Sequence, residues 1–390
     1  MKICACIAEY NPFHLGHLKH IDYIKNELKA EKVIVVMSGN FTQRGECAVL
    51  DKFTRAKHAI IAGADAVIEL PSVFAIGNAE VFAKGAIKVI NSLGIVDSIC
   101  FGIESGTKDE YLTLAQAMNN ESKEFKRILK EKLDSGISLA KAKFETVKEL
   151  NQDKFNPELI SSPNNILALE YVKAILKSNS NIEICPMLRD GNHNDKTLKK
   201  KITSATSIRQ ALKEKGKKKV KKNVPKFVYS DLKDYPNAFE KITLANVLTS
   251  SAEQLKAIPD CTEGLENRIK AFSKDNHTIE NLIEKVSTKR YTSARIRRIL
   301  TANLLGVTKA LTDDCLNEKL YAKILAVNSD SKNMISQITK NATVPVLTRK
   351  SDVTSLSKIA LKCFEIDVLA NDLYSLVTDE KQNENKMDII

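Results

Sequence analysis

The feature that most constrains this sequence is the alternation of short apolar runs with helical patterns over its first hundred residues. The apolar runs cover residues 2–8, 31–41, 63–71 and 94–102. The segments between them repeat apolar residues at helical spacing, in residues 14–29, 51–62 and 75–92. Strands joined through helices by short links predict a parallel sheet with right-handed crossovers.

The rest of the chain divides into two parts by pattern. Up to about residue 216 we expect charged helices, a fifth strand in "NIEICPMLRD" and a helix in "SATSIRQALKEKG". From about residue 227 the alternation fades and the pattern becomes mainly helical. We therefore predict an α/β protein with a Rossmann-like parallel-sheet domain over residues 1–220 and a mainly α-helical C-terminal domain over residues 221–390.

Charge and composition narrow the classes of partner. The 390 residues carry a net charge of +12, and thirteen of the 31 residues from Lys196 to Lys226 are Lys or Arg. This excess favours a polyanion, either nucleic acid or a membrane surface, although a solvated lysine coat would look the same. No apolar run of about 18 residues predicts a membrane span. The N-terminus is typical of a buried strand rather than of a signal peptide, so we expect a cytoplasmic protein.

The motif "AEYNPFHLGHLKH", residues 8–20, lies between the first strand and the first helix. The N-terminus of a helix leaves backbone N–H groups unpaired and attracts phosphate. His14 and His17 lie three residues apart on one face of the first turn, and Gly16 permits close approach of a nucleotide. Such imidazoles can donate hydrogen bonds to phosphate oxygens during nucleotidyl transfer. They could instead be surface histidines or bind a metal, but no third ligand is evident and we predict no metal site.

Other candidate residues lie at the ends of later strands. Ser38-Gly39-Asn40 and Phe101-Gly102 end the second and fourth strands, and ligand sites of parallel sheets lie at this edge. Ser204 and Thr206 begin a later helix, where their hydroxyls can either cap the backbone or bind the β and γ phosphates. In the second case Arg209 would neutralise the leaving pyrophosphate. The eight cysteines form no CxxC pair, so neither a zinc site nor a disulfide framework is indicated.

These motifs resemble a known family. His-x-Gly-His after a first strand, with a later "SATSIR" turn, is similar to the nucleotidylyltransferase superfamily. The longer string "AEYNPFHLGHLKHI", with "FGIESG", "SSPNNILALEYVKA" and "LRDGNHND", resembles the bacterial tRNA(Met) cytidine acetate ligases. The resemblance is strongest over residues 1–215 and continues through "STKRYTSARIRRIL" and "DVLANDLYSL". Leu15 stands where the family commonly has Asn, and we expect its side chain to face away from the phosphates.

The resemblance implies an ATP-dependent ligase. Such an enzyme activates acetate as acetyl-adenylate, releases pyrophosphate, and passes the acetyl group to N4 of the wobble cytidine of elongator tRNA(Met). It implies catalytic roles for His14 and His17, with Mg²⁺ accompanying ATP. The implied ATP-binding residues are Ile7, Ala8, Glu9, Tyr10, Asn11, Pro12, Phe13, His14, Leu15, Gly16, His17, Leu18, Lys19, His20, Gly102, Asn165, Arg189, Ser204, Thr206 and Arg209.

The second half of the chain supplies the candidate RNA surface. Arginines pair with phosphate more specifically than lysines, and a tyrosine can stack on a base. The predicted tRNA-binding residues are Lys289, Arg290, Tyr291, Arg295, Arg297 and Arg298. No protein partner or membrane is implied. Two alternatives stay open: a small-molecule adenylyl- or cytidylyltransferase, and an RNA-binding protein with an inactive nucleotide site.

Overall fold

The fold was analysed in a computed structural model of the chain. The described residues are 1–137, 139–151, 155–189, 203–233, 238–276, 278–288 and 290–390. Within these ranges, no helix combines the length and the apolar character that crossing a bilayer would need.

In the described ranges, eight strands form one sheet. They are β1 Ile3–Ala8, β2 Lys32–Ser38, β3 Ala66–Leu70, β4 Ser98–Ile103, β5 Glu183–Leu188, β6 Ala322–Val327, β7 Val346–Leu347 and β8 Asp388–Ile389. The spatial order is β5-β4-β1-β2-β3-β6-β7, and β8 pairs with β6. Strands β1 to β5 are parallel, as the alternation predicts. Strand β6 lies antiparallel to β3 and was not predicted.

Helices account for most of the remaining structure. Those of the first 231 residues are α1 Leu15–Asn26, α2 Lys52–Ile61, α3 Ser72–Ala75, α4 Ala79–Ser92, α5 Lys108–Asn119, α6 Lys123–Asp134, α7 Leu139–Leu150, α8 Pro163–Lys177, α9 Ala205–Lys215 and α10 Lys226–Asp231. The later helices are α11 Ala238–Thr249, α12 Ala252–Lys256, α13 Leu265–Ser273, α14 Ile279–Val286, α15 Ser293–Leu304, α16 Lys309–Asn317, α17 Asn333–Asn341 and α18 Lys358–Thr378. The second half is thus mainly helical, while β6, β7 and β8 extend the sheet of the first half.

The helix predicted over residues 75–92 is divided in two. A short helix, α3, ends at Ala75, and α4 begins only at Ala79. The side chain of Asn78 accepts a hydrogen bond from the backbone N–H of Val81 (3.0 Å), which is the usual way for Asn to begin a helix. The hydrophobic periodicity continues across this break, which is why the pattern alone placed the helix start too early.

The sheet is covered on both faces, because alternate strand residues point to opposite sides. On one face Ile34 and Val36 belong to a core that includes α4, α5 and α8. On the other face Val33 and Val35 belong to a core that includes α1, α2 and α9. The result is a three-layer α/β arrangement, which confirms the predicted fold class. The division near residue 220 stays a prediction.

A buried group of charges joins the last residues of the chain to the sheet. Lys52 lies 2.7 Å from both Glu69 and Glu384, and Lys323 lies 3.0 Å from Glu69. Lys323 also contacts Glu384. All four side chains are at most 6% exposed. Each charge has a partner, as burial requires. Helix α2, strands β3 and β6 and the C-terminal segment are therefore fixed together.

Candidate active site

The His-x-Gly-His turn begins α1 at the carboxyl edge of the sheet. His14 is the residue that caps the helix: its Nδ1 accepts a hydrogen bond from the backbone N–H of Gly16 (3.0 Å). His17 returns the bond, because its Nδ1 accepts from the backbone N–H of His14 (3.2 Å). The two rings stack, with centroids 3.7 Å apart and planes inclined by 22°. The spacing of three residues thus produces a reciprocal capping box with imidazoles in place of the usual side chains.

This capping box fixes the protonation of both rings. A neutral imidazole that accepts at Nδ1 must carry its proton on Nε2. Within the described part of the chain, neither Nε2 atom has a hydrogen-bond partner. His14 and His17 therefore present two N–H donors for an acceptor outside the chain.

The backbone amides of the same turn have hydrogen-bond acceptors within the protein, whereas the sequence predicted that they would be unpaired. The N–H of Leu15 donates to the carbonyl of Asn223 (3.3 Å), and the N–H of Gly16 donates to His14. The expectation that unpaired amides would bind phosphate is therefore wrong for this conformation. The reason is that His14, as the capping residue, and the later segment around Asn223 supply the acceptors. The imidazoles remain as the donors of this turn.

Aromatic neighbours pack against His17, and burial keeps both imidazoles neutral. The ring of His17 lies 4.8 Å from that of Tyr10 and 5.5 Å from that of Phe13, measured between centroids. Burial, together with the positive charges of Arg189 and Arg209, lowers the pKa of His14 to about 3. Burial likewise lowers the pKa of His17 well below its usual value, followed by the effect of His14. At neutral pH both rings are uncharged donors.

Two predicted arginines lie beside these histidines. Arg209, on α9, donates from Nη1 to the carbonyl of Asn11 (2.9 Å), and its Nε lies 3.3 Å from a carboxylate oxygen of Glu46. Arg189 follows β5, and its charge acts on His14 and His17. Burial lowers the pKa of the Arg189 guanidinium. Fixed positive charge thus surrounds the imidazole donors, as an anion site requires.

The loop after β2 adds residues that the sequence analysis missed. Arg44 and Glu46 lie near Arg209: burial and then the charge of Arg209 lower the pKa of Arg44, and Glu46 is paired with Arg209. Glu9 accepts from the backbone N–H of Gln43 (2.7 Å), which ties this loop to the turn after β1. The only signal in the sequence was position, since the loop follows a buried strand at the same edge of the sheet.

A buried arginine of α2 connects the loop after β1 with the end of β2. Arg55 is fully buried, and its Nη1 donates to the carbonyls of Glu9 (2.6 Å) and Ser38 (3.0 Å). It also donates to the carbonyls of Gly39 and Leu50. Among the described residues, its hydrogen bonds all go to backbone carbonyls. Arg55 therefore positions the ends of β1 and β2.

Gly102 and Asn165 meet the site in different ways. Gly102 is near the end of β4, and a Cβ atom placed on it would lie 2.8 Å from Cδ of Arg189. Asn165 is buried at the start of α8, where it accepts from the backbone N–H of Glu104 (2.8 Å) and donates to Ser105 (2.8 Å) and to the carbonyl of Glu158 (2.7 Å). Asn165 therefore fixes the loop after β4, and its polar atoms are used within the protein.

At the start of α9, the hydroxyl of Ser204 is used by the helix itself. Ser204 caps the helix, accepting from the backbone N–H of Ser207 (3.2 Å). Thr206 is half-buried in the first turn.

His20, one turn beyond His17, has its Nε2 3.2 Å from the sulfur of Cys100. The remaining residues of the predicted ATP-binding segment are the strand residues Ile7 and Ala8, the loop residue Pro12, and the helical residues Leu18 and Lys19.

The predicted tRNA-binding arginines lie at and before α15, and each has a partner in the protein. Arg290 pairs with Glu263 (2.5 Å) and Arg297 with Glu280 (3.6 Å), both near the surface. Arg295 donates to the carbonyl of Asp260 (2.6 Å) and lies over the ring of Tyr291, and Arg298 lies 3.6 Å from the carboxylate of Asp260. Lys289 lies outside the described residues.

Metal-binding groups are not assembled at this site. Across the ranges that the structure describes, no three His, Cys, Asp or Glu side chains come close enough together to hold a metal ion. The arrangement is one of fixed donors and positive charges at the edge of a parallel sheet, which suits binding of a phosphorylated nucleotide and stabilisation of charge that develops at phosphorus.

Comparison with known proteins shows the family to which the chain belongs. The model of the HIGH Nucleotidyl Transferase family matches residues 1–388. The tRNA(Met) cytidine acetate ligase of Acetivibrio thermocellus is 38% identical, over 96% of this chain and 94% of its own length. That of Clostridium novyi is 34% identical, over 97% and 96%.

Solved structures give the same result. The crystal structure of apo Thermotoga maritima TmcAL superposes with a TM-score of 0.94 at 28% identity, and the form bound with alpha-thio ATP with a TM-score of 0.91; both cover all of each chain. Sequence and structural similarity thus extend from end to end of the chain. The chain belongs to the HIGH nucleotidyl transferases and, within them, to the family of enzymes named tRNA(Met) cytidine acetate ligase.

Proposed function

We propose that this enzyme acetylates N4 of the wobble cytidine of elongator tRNA(Met), producing N4-acetylcytidine, with acetate and ATP as co-substrates. In the first step a carboxylate oxygen of acetate attacks the α-phosphorus of ATP. The bond to the β-phosphate breaks, and acetyl-adenylate and pyrophosphate form. In the second step the cytidine N4 attacks the acetyl carbonyl, loses a proton, and releases AMP. The relatives' names and the site geometry both support this proposal.

The observation that carries the proposal is the stacked pair of neutral imidazoles. Their Nε2–H groups point away from the bonds that fix them. The guanidinium groups of Arg189 and Arg209 are nearby, and that of Arg44 is close to Arg209. Donors that are already oriented stabilise a developing negative charge without reorganisation. His14 and His17 would therefore act on the phosphate oxygens of the nucleotide. The buried Nδ2 of Asn11, which has no partner within the described ranges, is a further donor.

The other predicted ATP-binding residues contribute less directly. Residues 7–20 form the wall of the site, Arg189 and Arg209 bind phosphate oxygens, and Gly102 leaves room for Arg189. Asn165 and Ser204 act by holding the loop after β4 and the start of α9. Mg²⁺ would enter with ATP and offset the charge of the ATP phosphates. Such an ion is commonly bound by the substrate phosphates and water, with few ligands from the protein.

The α15 segment is retained as a candidate RNA contact. Arg290 and Glu263 are about half-exposed, at 50% and 43%, and such surface ion pairs contribute little stability. A phosphate could replace Glu263 at low cost. Arg295 and Arg298 instead hold the loop at Asp260, so we expect them to position α15 rather than to bind RNA directly. We expect the reaction to take place in the cytoplasm, with tRNA.

The test is mass spectrometry of nucleosides from tRNA(Met) incubated with the enzyme, ATP and isotopically labelled acetate. We expect label in N4-acetylcytidine, with one AMP and one pyrophosphate released per acetyl group. Labelled product without RNA would favour a small-molecule nucleotidyltransferase. ATP binding without turnover on any acceptor would favour an RNA-binding protein. Turnover independent of acetate would contradict the ligase proposal.

A further inference from the structure

A group of exposed lysines lies directly behind the nucleotide-binding turn. We call it the lysine platform; it consists of Lys217, Lys218, Lys219, Lys221, Lys222 and Lys226, all exposed. We infer that the lysine platform is the surface on which the phosphate backbone of the tRNA substrate docks, and this inference rests on the proposed function. The side-chain contacts of the platform, its attachment to the site and its uncompensated charge support it.

The platform is part of the folded core. Between its lysines, Val220 and Val224 are at most 5% exposed and pack in the same core as α1 and α2. The segment begins with a 3-10 turn over Lys217–Val220 and continues into α10. The lysines therefore project from a rigid support, so less conformational entropy is lost when they bind than in a flexible tail.

The platform is also joined to the His-x-Gly-His turn. The carbonyl of Asn223 accepts the backbone N–H of Leu15, the first residue of α1 (3.3 Å). The ring of Phe227 lies 6.2 Å from that of Phe13, between centroids. A polyanion held on the platform is consequently anchored at a fixed place relative to His14. This is what an enzyme needs when one nucleotide of a large RNA must reach an activated acyl group.

Charge on the platform is not neutralised by the protein. In the parts of the chain that are described, Lys218, Lys219 and Lys222 have no carboxylate within ion-pair distance. Lys217 donates to the carbonyl of Leu232 (3.2 Å). Lys217 and Lys221 both lie over the ring of Tyr229, at 5.8 and 5.7 Å from its centroid. Six like charges on ten residues repel one another. The phosphates of an RNA relieve that repulsion, and the lysines release the cations condensed on the RNA.

The contrast with α15 favours the platform as the main phosphate contact. Each described arginine of that segment is already paired with a carboxylate or a carbonyl, whereas Lys218, Lys219 and Lys222 of the platform have no carboxylate partner among the described residues. Lysine suits the task, because contacts to the RNA backbone need charge but no base-specific geometry. An anionic membrane would also attract lysines, but membrane binding additionally uses exposed apolar residues. Val220, Val224 and Val228 are all buried.

The inference is tested by direct binding of a fluorescent tRNA(Met) transcript, followed by anisotropy across a salt series. The platform variant is Lys218→Ala/Lys219→Ala/Lys222→Ala. We expect its Kd to rise about tenfold or more near 0.15 M salt. The slope of log Kd against log salt should fall by about 2–3, since each phosphate contact contributes roughly 0.7–0.9. The variant Lys218→Arg/Lys219→Arg/Lys222→Arg, which keeps the three positive charges, should bind like the wild type.

A matched control removes the same charge elsewhere. Lys123→Ala/Lys126→Ala/Lys130→Ala changes three exposed lysines of α6, whose buried residue Phe125 belongs to the core on the other face of the sheet. We expect its Kd to stay within about twofold of the wild type, because phosphate contacts, and not overall charge, should determine the salt slope. Equal effects of the two triple variants would overturn the inference, since overall charge alone would then explain them.

Two further readouts separate this inference from the proposed function. Acetate-dependent exchange of pyrophosphate into ATP, measured without tRNA, should be unchanged in the platform variant. If the wild type shows no such exchange, the proposed function fails, yet the Kd comparison still decides the inference. Binding to phosphatidylserine vesicles provides the other comparison: loss of vesicle binding with tRNA binding unchanged would assign the platform to membranes and overturn the inference.

Discussion

His14 and His17 stack with ring centroids 3.7 Å apart, and the Nδ1 atom of each accepts a backbone N–H from the turn that the other helps to form. These two hydrogen bonds, from the backbone N–H groups of Gly16 and His14 to the two Nδ1 atoms, therefore both begin α1 and set the tautomer of both rings. The structural role uses Nδ1, and Nε2 is left for chemistry. Substitutions that keep one role and remove the other can consequently separate stability from catalysis.

The first prediction compares His14→Asn with His14→Ala. Asn caps helices well and Ala does not, so the Ala variant should lose about 1 kcal/mol more in free energy of unfolding. Both lack the Nε2–H donor, and loss of an oriented donor of this kind lowers turnover by about 100-fold or more. The measurements are urea denaturation and acetate-dependent pyrophosphate release. Turnover within a few-fold of the wild type in the Asn variant would remove His14 from the phosphate-binding role.

The second prediction concerns acid stability. The pKa of His14 is lowered to about 3 by burial and the nearby arginines, while an unfolded histidine titrates near 6.5. Between these values the unfolded chain binds a proton that the folded protein does not. Stability is therefore unaffected above about pH 6.5 and falls below it, by up to about 1.4 kcal/mol per pH unit for this group.

The control for this pH dependence is again His14→Asn. Urea denaturation of both proteins at pH 7, 6 and 5 should show that the free energy of unfolding falls less steeply with pH in the variant. The difference in slope should be up to about 1.4 kcal/mol per pH unit, which corresponds to one proton. His20, whose pKa burial lowers to about 4, contributes in the same direction and remains in both proteins. Identical slopes would show that His14 titrates normally in the folded state.

Much of this fold could be predicted from the sequence, because β1 to β4 are largely buried runs flanked by helices with clear periodicity. The edge at which the site lies follows from that pattern. Strand β6 was not predicted, since a six-residue segment with one lysine and five apolar residues, in a helical region, carries no distinguishing period. Lys323 on this strand is buried because it pairs with Glu69 and Glu384, which are distant from it in sequence.

The candidate site divides in the same way. His14, His17 and Arg209 could be predicted because their motifs are local. Arg44 and Glu46 could not, since they reach the site only because the loop after β2 folds back on itself, with Phe41 and Cys47 forming an isolated bridge. The pairing of the Leu15 amide with Asn223 depends on a contact between residues more than two hundred positions apart, which no local pattern reports.

The third prediction concerns Gly102→Ala. The new Cβ would lie 2.8 Å from Cδ and 3.0 Å from Cγ of Arg189, so this side chain has to move. If Arg189 binds a phosphate oxygen, its displacement should raise the KM for ATP about tenfold or more, as loss of a charge-assisted hydrogen bond does. Arg189→Ala should have a similar effect, and the double variant should be little worse than either. Additive effects on KM would indicate that Gly102 acts independently of Arg189.

The fourth prediction compares two glycines that share a left-handed backbone. Gly45 has φ +70° and Gly264 has φ +79°, and in both an alanine would cost about 1–2 kcal/mol for that conformation. Nothing lies within 4 Å of a Cβ on Gly264, whereas a Cβ on Gly45 would lie 2.5 Å from the backbone of Arg297. Because backbone cannot rotate away, Gly45→Ala should lose about 1–3 kcal/mol more than Gly264→Ala in urea denaturation.

The same substitution should also affect the nucleotide site. Gly45 lies between Arg44 and Glu46, and its carbonyl accepts the hydroxyl of Thr301 on α15 (2.8 Å). Pushing α15 away from this loop displaces the Glu46 carboxylate that pairs with Arg209. We therefore expect Gly45→Ala, but not Gly264→Ala, to raise the KM for ATP at a temperature where both variants are folded. Equal stability and equal KM in the two variants would show that the loop after β2 is not supported by α15.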